Sequence, residues 1–263
     1  MYAFAYDKPA SLSDVLARLS AGGQPLAGGQ TLIASLKQRL AQPETLVDLA
    51  GIAELRGIRR EGQSLVIGAM TRHEDVAGSA EVQQAIPALA ALAGGIGDRQ
   101  VRAMGTLGGS VANNDPAACY PSAVLGLGAT VHTNRRQIAA DDFFQGLYTT
   151  ALEAGEIITA VQFPIPQKAA YAKFRQPASR FALVGVFVAQ TAGGARVAIT
   201  GAGNGVFRHA GLEAALSRSF TPEAVEGVTV DAGELNADLH ASAAYRAQLI
   251  KVQTQRAVRQ AHG

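Results

Sequence analysis

Two glycine pairs in this 263-residue chain stand where a phosphate can be held: Ala27-Gly28-Gly29-Gln30-Thr31 and Thr106-Leu107-Gly108-Gly109-Ser110. A Gly-Gly turn lets backbone come close to an anion, because no side chain obstructs it and positive φ costs little. Where a helix follows the turn, its free N–H groups and dipole add to the attraction. The first pair has that setting: Gln24-Pro25-Leu26-Ala27 reads as a strand before it, and Leu32, Ile33, Leu36 and Leu40 form one face of a helix after it. Gln30 and Thr31 add side-chain donors. The second pair is followed by the polar run Asn113-Asn114-Asp115-Pro116, whose side chains can reach a ribose or phosphates. Either pair alone reads as a turn. Together they are suited to gripping a dinucleotide.

Other chemistries find less support. There is no G-x-x-x-x-G-K-[ST] loop. Gly201-Ala202-Gly203-Asn204-Gly205-Val206 follows a strand and is close to the Rossmann fingerprint, but Val206 replaces the third glycine and too little chain follows, so it reads as a strand-ending turn. Asp141-Asp142, read in a strand, point to opposite faces and cannot share a proton. No G-x-S-x-G elbow occurs. Cys119 is the single cysteine, which excludes a disulfide, an iron–sulfur cluster or a thiolate zinc site within the chain. With no basic residue beside it in sequence, it reads as a small packed thiol. The five histidines show no metal-ligand spacing. A net charge of +2, with Arg59-Arg60 and Arg135-Arg136 the only adjacent basic pairs, leaves no footprint for nucleic acid or anionic lipid.

The elements that must position these loops are legible in outline. Ser11 is a helix N-cap with Asp14 three residues on, and Leu12, Val15, Leu16 and Leu19 mark one face until Gly22-Gly23 ends it. Residues 45–49 and 64–69 read as strands with the more polar 58–62 between them. A helix is expected over 82–92, and 94–121 reads as a long functional loop, too polar and broken for a regular element. Residues 129–133 and 156–163 read as strands, the latter stopped by Pro164-Ile165-Pro166, the expected domain boundary. Beyond it lie strands over 181–189 and 195–200, a helix near 212–217, and a long final helix with Leu239, Ala243, Ala247, Ile250, Ala257 and Ala261 on one face. The longest apolar run, 85–93, is broken by Pro87 and falls short of the roughly 20 residues that span a bilayer. The N-terminus lacks a secretory pattern, so the chain is expected in the cytoplasm.

Across nearly its whole length the chain resembles the FAD-binding medium subunits of the xanthine dehydrogenase, aldehyde oxidase and carbon monoxide dehydrogenase group, the molybdenum hydroxylases. The segments that carry the resemblance are Ala27-Gly28-Gly29-Gln30-Thr31-Leu32, Leu46-Val47-Asp48-Leu49, Ile67-Gly68-Ala69-Met70-Thr71, and Arg102-Ala103-Met104-Gly105-Thr106-Leu107-Gly108-Gly109-Ser110-Val111-Ala112-Asn113-Asn114-Asp115-Pro116-Ala117-Ala118. Further on come Gly155-Glu156-Ile157-Ile158, Tyr171-Ala172-Lys173-Phe174 and Ala241-Ser242-Ala243-Ala244-Tyr245-Arg246.

The resemblance implies an α+β fold: a two-lobed FAD-binding domain of the flavin-oxidase (PCMH-like) type over 1–166, with lobes near 1–55 and 56–166, then a smaller α+β C-terminal domain over 167–263. It implies that Leu26 to Leu32 and Thr106, Gly108, Gly109 and Ser110 clamp the FAD diphosphate, that Ala112, Asn114 and Asp115 reach the cofactor beyond it, and that Ile158, Lys173 and Phe181 adjoin the flavin ring. Relatives carry a second aspartate, contacting the adenosine half, where this chain has Cys119; that contact is lost or is replaced by Asn114 or Asp115. Implied partners are a small subunit with two [2Fe–2S] clusters and a large molybdopterin subunit, in a dimer of heterotrimers, with an external electron acceptor. No catalytic acid or base, and no metal in this chain, is expected. A stand-alone flavin oxidoreductase and a non-redox scaffold that keeps the fold are the rival readings. Replacing Gly108 and Gly109 by valine is expected to remove FAD and spare the fold.

Overall fold

The Ser11 hydroxyl accepts the Asp14 amide hydrogen at 3.2 Å and so starts helix α1 (Leu12–Ser20), which buries Val15 and Leu19 and lies between strands β1 (Ala5–Asp7) and β2 (Gln24–Leu26). Helix α2 (Leu32–Lys37) then leads to β3 (Thr45–Asp48). The two helices are the crossovers that parallel pairing requires, and the sheet is parallel in the order β1-β3-β2. Its small core takes in Met70 and Ile157 from later in the chain, so this lobe is closed only by its neighbour. The computed structural model describes all 263 residues.

The second sheet is antiparallel. Strands β4 (Ile58–Glu61), β5 (Ser64–Gly68), β6 (Thr130–Thr133), β7 (Gln137–Ala139) and β10 (Ile158–Pro164) run in the order β4-β5-β10-β6-β7. The polar stretch after residue 57 is therefore a strand, and its charges suit the edge it occupies. Helices α3 (His73–Gly78), α4 (Ala80–Ala85), α5 (Pro87–Gly94), α6 (Arg99–Met104), α7 (Leu107–Asn113) and α8 (Tyr120–Gly126) lie between β5 and β6. The short helix α9 (Ala140–Phe143) and the hairpin β8 (Phe144–Gly146) to β9 (Thr149–Thr150) precede β10.

Three expectations change here. The helix over 82–92 is two helices, divided at Ile86 because Pro87 has no amide hydrogen to continue the ladder. The supposed loop over 94–121 holds two short helices, α6 and α7, and the start of α8; Asp98 caps α6 through Val101 N at 2.9 Å, and Thr106 caps α7 through Gly109 N at 3.1 Å. Each is too short to show a period in sequence. Asp141 and Asp142 sit in the first turn of α9, not in a strand.

The third sheet is antiparallel, β11 (Lys168–Arg175), β12 (Ala182–Thr191), β13 (Gly194–Thr200) and β14 (Phe207–Arg208) in chain order, with helices α10 (Ala210–Arg218) and α11 (Ala243–Ala261). Both of its faces are covered, which is why β12 is an almost unbroken apolar run. Val184, Val186 and Val188 pack with Ile250, Ala257 and Val258 of α11. The alternate residues Phe187 and Ala189, with Ala198, join the core of the second sheet. One core thus runs across Pro164-Ile165-Pro166. Arg196 ties the same two sheets together, donating to Leu125 O at the end of α8 and to Asp141, which also pairs with Arg208 at 3.1 Å. Leu239, expected on the final helix, lies outside it and is exposed; α11 starts only where Ser242 Oγ accepts from Tyr245 N at 3.2 Å. No helix is long and apolar enough to cross a membrane.

Candidate functional site

The strand β2 runs straight into the first glycine pair. Gly29 takes φ +70°, and its carbonyl accepts Ile33 N at 3.0 Å to begin α2. Gln30 Nε2 donates to Gly28 O at 2.9 Å and holds the turn's shape. Five consecutive backbone N–H groups, Gly28 to Leu32, donate to no acceptor in the protein. Such a row is a ready cradle for an anion.

The second glycine pair is anchored from beneath, with Leu107 N donating to Thr71 O at 3.0 Å and Gly108 N to Ala69 O at 2.8 Å. The two loops dock on one another. A Cβ on Gly28 would overlap Met104 O and come within 2.7 Å of Gly105 Cα, so only glycine permits this approach.

Around the docked loops lies a cleft of about 640 Å³, within the usual range for a ligand site. Of the residues singled out from sequence, Ala27, Gly28, Gly29, Gln30, Thr31, Leu32, Thr106, Gly108, Gly109, Ser110, Ala112, Asp115, Ile158, Lys173 and Phe181 line it. They come from β10, from β11 and the turn after it, and from the segments around α2 and α7. Two do not. Leu26 packs behind the Gly29 turn. Asn114 is fully buried in the left-handed conformation (φ 45°), and its Nδ2 donates to Gly146 O and Thr149 O, each at 2.8 Å, so its amide holds the β8–β9 hairpin and does not reach for a ribose.

Asp115 keeps a place in the cleft as a turn residue. Its Oδ1 accepts Ala117 N at 2.8 Å, and the neighbouring Pro116 O accepts Gly201 N at 2.7 Å, which locks the Asp-Pro segment to the third sheet. Of the two residues offered as substitutes for the missing aspartate, only Asp115 faces the cleft.

Other lining residues show their surroundings only in the fold. Tyr148, at the tip of the hairpin that Asn114 pins, faces Asp115 Oδ2 at 3.4 Å; burial and then the Asp115 carboxylate push its phenol pKa up. His73 lies behind Gly105, buried and tilted against Tyr120 with ring centroids 5.2 Å apart. Burial, helped by the Arg102 charge, lowers its pKa to about 4, so it is neutral at pH 7. Glu156 is held at a pKa of about 2, first by the Arg136 hydrogen bond, and fixes the turn before Ile157 and Ile158. Cys119 lines the cleft with Lys173 Nζ 3.4 Å from its sulfur, a neighbour that sequence distance concealed. Burial also raises the phenol pKa values of Tyr120 and Tyr171 behind this wall.

No nucleophile and general base meet in the cleft. It offers unpaired amides at its first glycine loop and apolar and cationic side chains at Ile158, Phe181 and Lys173. That set suits an elongated ligand with phosphates and a flat ring, one that brings its own reactivity. The residues present therefore fit a flavin dinucleotide.

The model of the FAD binding domain in molybdopterin dehydrogenase matches residues 2–166. The carbon monoxide dehydrogenase medium chain of Afipia carboxidovorans is 40% identical over 203 residues, covering 73% of this chain and 70% of that one. The corresponding chain of Hydrogenophaga pseudoflava is 35% identical over 94% of both. In structure, a chain of the reconstituted CO dehydrogenase from Oligotropha carboxidovorans superposes with a TM-score of 0.90 at 34% identity, over 99% of this chain and 98% of that chain.

Proposed function

The chain belongs to the family of FAD-binding domains of molybdopterin dehydrogenases, and from that premise we propose that it is the electron-transfer flavin subunit of a molybdenum hydroxylase. In this reading substrate is oxidised at a molybdopterin centre on a large subunit, and electrons travel through two [2Fe–2S] clusters on a small subunit to the flavin held here, then to an external acceptor. The division of labour is consistent with a chain whose only cysteine is Cys119, since clusters are held by several thiolates. Bound FAD supplies the redox chemistry, accepting electrons and passing them on.

The chain's own residues bind and orient. The observation that carries the reading is the row of five unpaired N–H groups, Gly28 to Leu32, on residues that line the same cleft as Gly109 and Ser110. They meet a diphosphate without side-chain obstruction. Ile158 and Phe181 offer apolar contacts to a ring, and Lys173 sets a positive charge beside it.

The full chain, purified with whatever subunits it holds, tests this. We expect non-covalent FAD, released to the supernatant by acid, with molybdenum and iron at about four per flavin, as two [2Fe–2S] clusters require. A folded, flavin-free chain overturns the reading, and colour left on the acid pellet favours a stand-alone oxidase.

A further inference from the structure

Three consecutive carbonyls at the rim of the cleft are each met by a cation. Lys173 Nζ donates to Gly95 O at 2.8 Å, and Arg102 Nη1 to Ile96 O at 2.9 Å and Gly97 O at 3.3 Å. Arg180 Nη1 reaches Gly97 O at 3.4 Å, and Arg175 Nη2 approaches within 3.7 Å of the Cβ position at Gly95. These cations arrive from three stretches of chain: α6, β11 and the turn after β11. None has a carboxylate within 4.0 Å; the ion pairs of the protein lie elsewhere. Other arginines of the chain also lack an acidic partner; what distinguishes these cations is that four of them converge on one stretch of backbone at the cleft.

Carbonyl oxygens engage only part of each guanidinium, which has five donors. Arg175 and Arg180 are exposed, and beside them Phe181 presents an exposed ring at the cleft mouth. Like charges gathered without counter-charge repel one another, and a concave, low-dielectric wall focuses their field outward. Lys173 already has a place beside the flavin ring, but the glycine loops make no use of Arg102, Arg175 or Arg180.

We propose that this rim, built from Arg102, Lys173, Arg175 and Arg180, is the docking site of the external electron acceptor, and that the acceptor is a small molecule of net negative charge. The proposal rests on the flavin reading above. A neutral acceptor gains nothing from the rim, and a cationic one is repelled. The concavity of the site favours a small molecule over a protein surface.

The test uses the flavin-loaded full chain in its purified assembly, chemically reduced, then mixed with hexacyanoferrate(III), a trianion, or hexaammineruthenium(III), a trication. Two such ions take one electron each, and two protons pass to solvent, for each flavin returned to its oxidised state. Flavin absorbance follows the rate as ionic strength is raised. We expect the trianion's rate to fall by about tenfold or more, as steered encounters do, and the trication's rate to rise. The double variant Arg175→Gln/Arg180→Gln should keep its flavin and lose the trianion's salt dependence, while Arg256→Gln, on exposed helix surface outside the cleft, should not.

Calorimetric titration with redox-inert hexacyanocobaltate(III) gives a second readout, expected to weaken about tenfold or more in the double variant. Equal salt slopes for both ions, unchanged binding in the double variant, or an equal effect of Arg256→Gln overturns the proposal. A chain that carries no flavin overturns the function reading itself, whereas a flavin-loaded chain indifferent to acceptor charge overturns only this inference.

Discussion

Lys173 Nζ stands 3.4 Å from Cys119 Sγ, joining residues 54 positions apart, and the same ammonium donates to Gly95 O at 2.8 Å and Arg180 O at 3.1 Å. Two of its three donors meet good acceptors, and the third meets sulfur, a weak one. The lysine is thus a strut between the end of α5, the start of α8 and the turn that carries Phe181. Cys119→Asp places a carboxylate against that third donor, and a hydrogen bond to a charged group contributes about 1.5–3 kcal/mol. We expect the Asp variant to melt higher and retain FAD better through gel filtration, and Cys119→Leu to do the reverse. An Asp variant that melts below the parent protein shows that the ammonium is already satisfied.

The two glycine loops separate under mutation in different ways. At Gly28 an added Cβ meets the backbone of Met104 and Gly105, so Gly28→Ala pries the loops apart at the cleft. At Gly108 it meets Ala69 Cα and O at 2.8 Å, inside the core. Overpacking there costs about 1–3 kcal/mol. The expectation that larger residues at Gly108 spare the fold is therefore revised: thermal melts should show Gly108→Val destabilised with or without FAD. Gly28→Ala also clashes with backbone but at the cleft and not in the core, so its FAD-free form should lose less in the melt than Gly108→Val and bind FAD at least about tenfold more weakly, on the order of one lost charge-assisted contact. Equal melting losses in the two variants would contradict this assignment.

What was legible in the sequence was local. Ser11 and Asp14 mark the start of α1 because a capping bond spans three residues, and the β12 run is apolar because both sheet faces are covered. The helices between residues 94 and 121 stayed hidden because α6 and α7 are one to two turns long and α7 contains both glycines of its loop. The role of Asn114 was misread because its partners, Gly146 O and Thr149 O, lie more than thirty residues away. For the same reason nothing in the sequence joined Arg180 to Gly97, or Lys173 to Gly95, across about eighty residues. Chemistry written in adjacent residues was readable; chemistry assembled by the third sheet was not.

Asn114 tests that distinction. Its left-handed backbone suits asparagine or glycine, and its amide makes two buried bonds to the hairpin that carries Tyr148. Asn114→Gly keeps the backbone and loses both bonds, at about 1 kcal/mol each. Asn114→Asp sets a carboxylate against two carbonyl oxygens and should cost more. Limited proteolysis should cut within 146–149 faster in both variants, Asp ahead of Gly. If both are cut no faster than the parent protein, the hairpin is held by other contacts.

His73 makes acid sensitivity a property of the cleft wall. Burial lowers its pKa to about 4 in the folded chain, against an ordinary value near 6.5. Between those values the unfolded chain takes up a proton that the folded one refuses. The contribution of neutral His73 to stability is therefore full above about pH 6.5 and is lost as pH falls toward 4. The size is on the order of 3 kcal/mol at its limit. Denaturant melts of the parent protein at a series of pH values should show this decline, and His73→Gln, which does not titrate, should flatten it between pH 6.5 and 4. Glu156, with its pKa held at about 2, should leave a separate decline below about pH 4.5 that persists in the His73 variant. A His73→Gln profile parallel to the parent throughout would mean that the imidazole is protonated in the folded state, and that water reaches the unpartnered Nδ1 behind the second glycine loop.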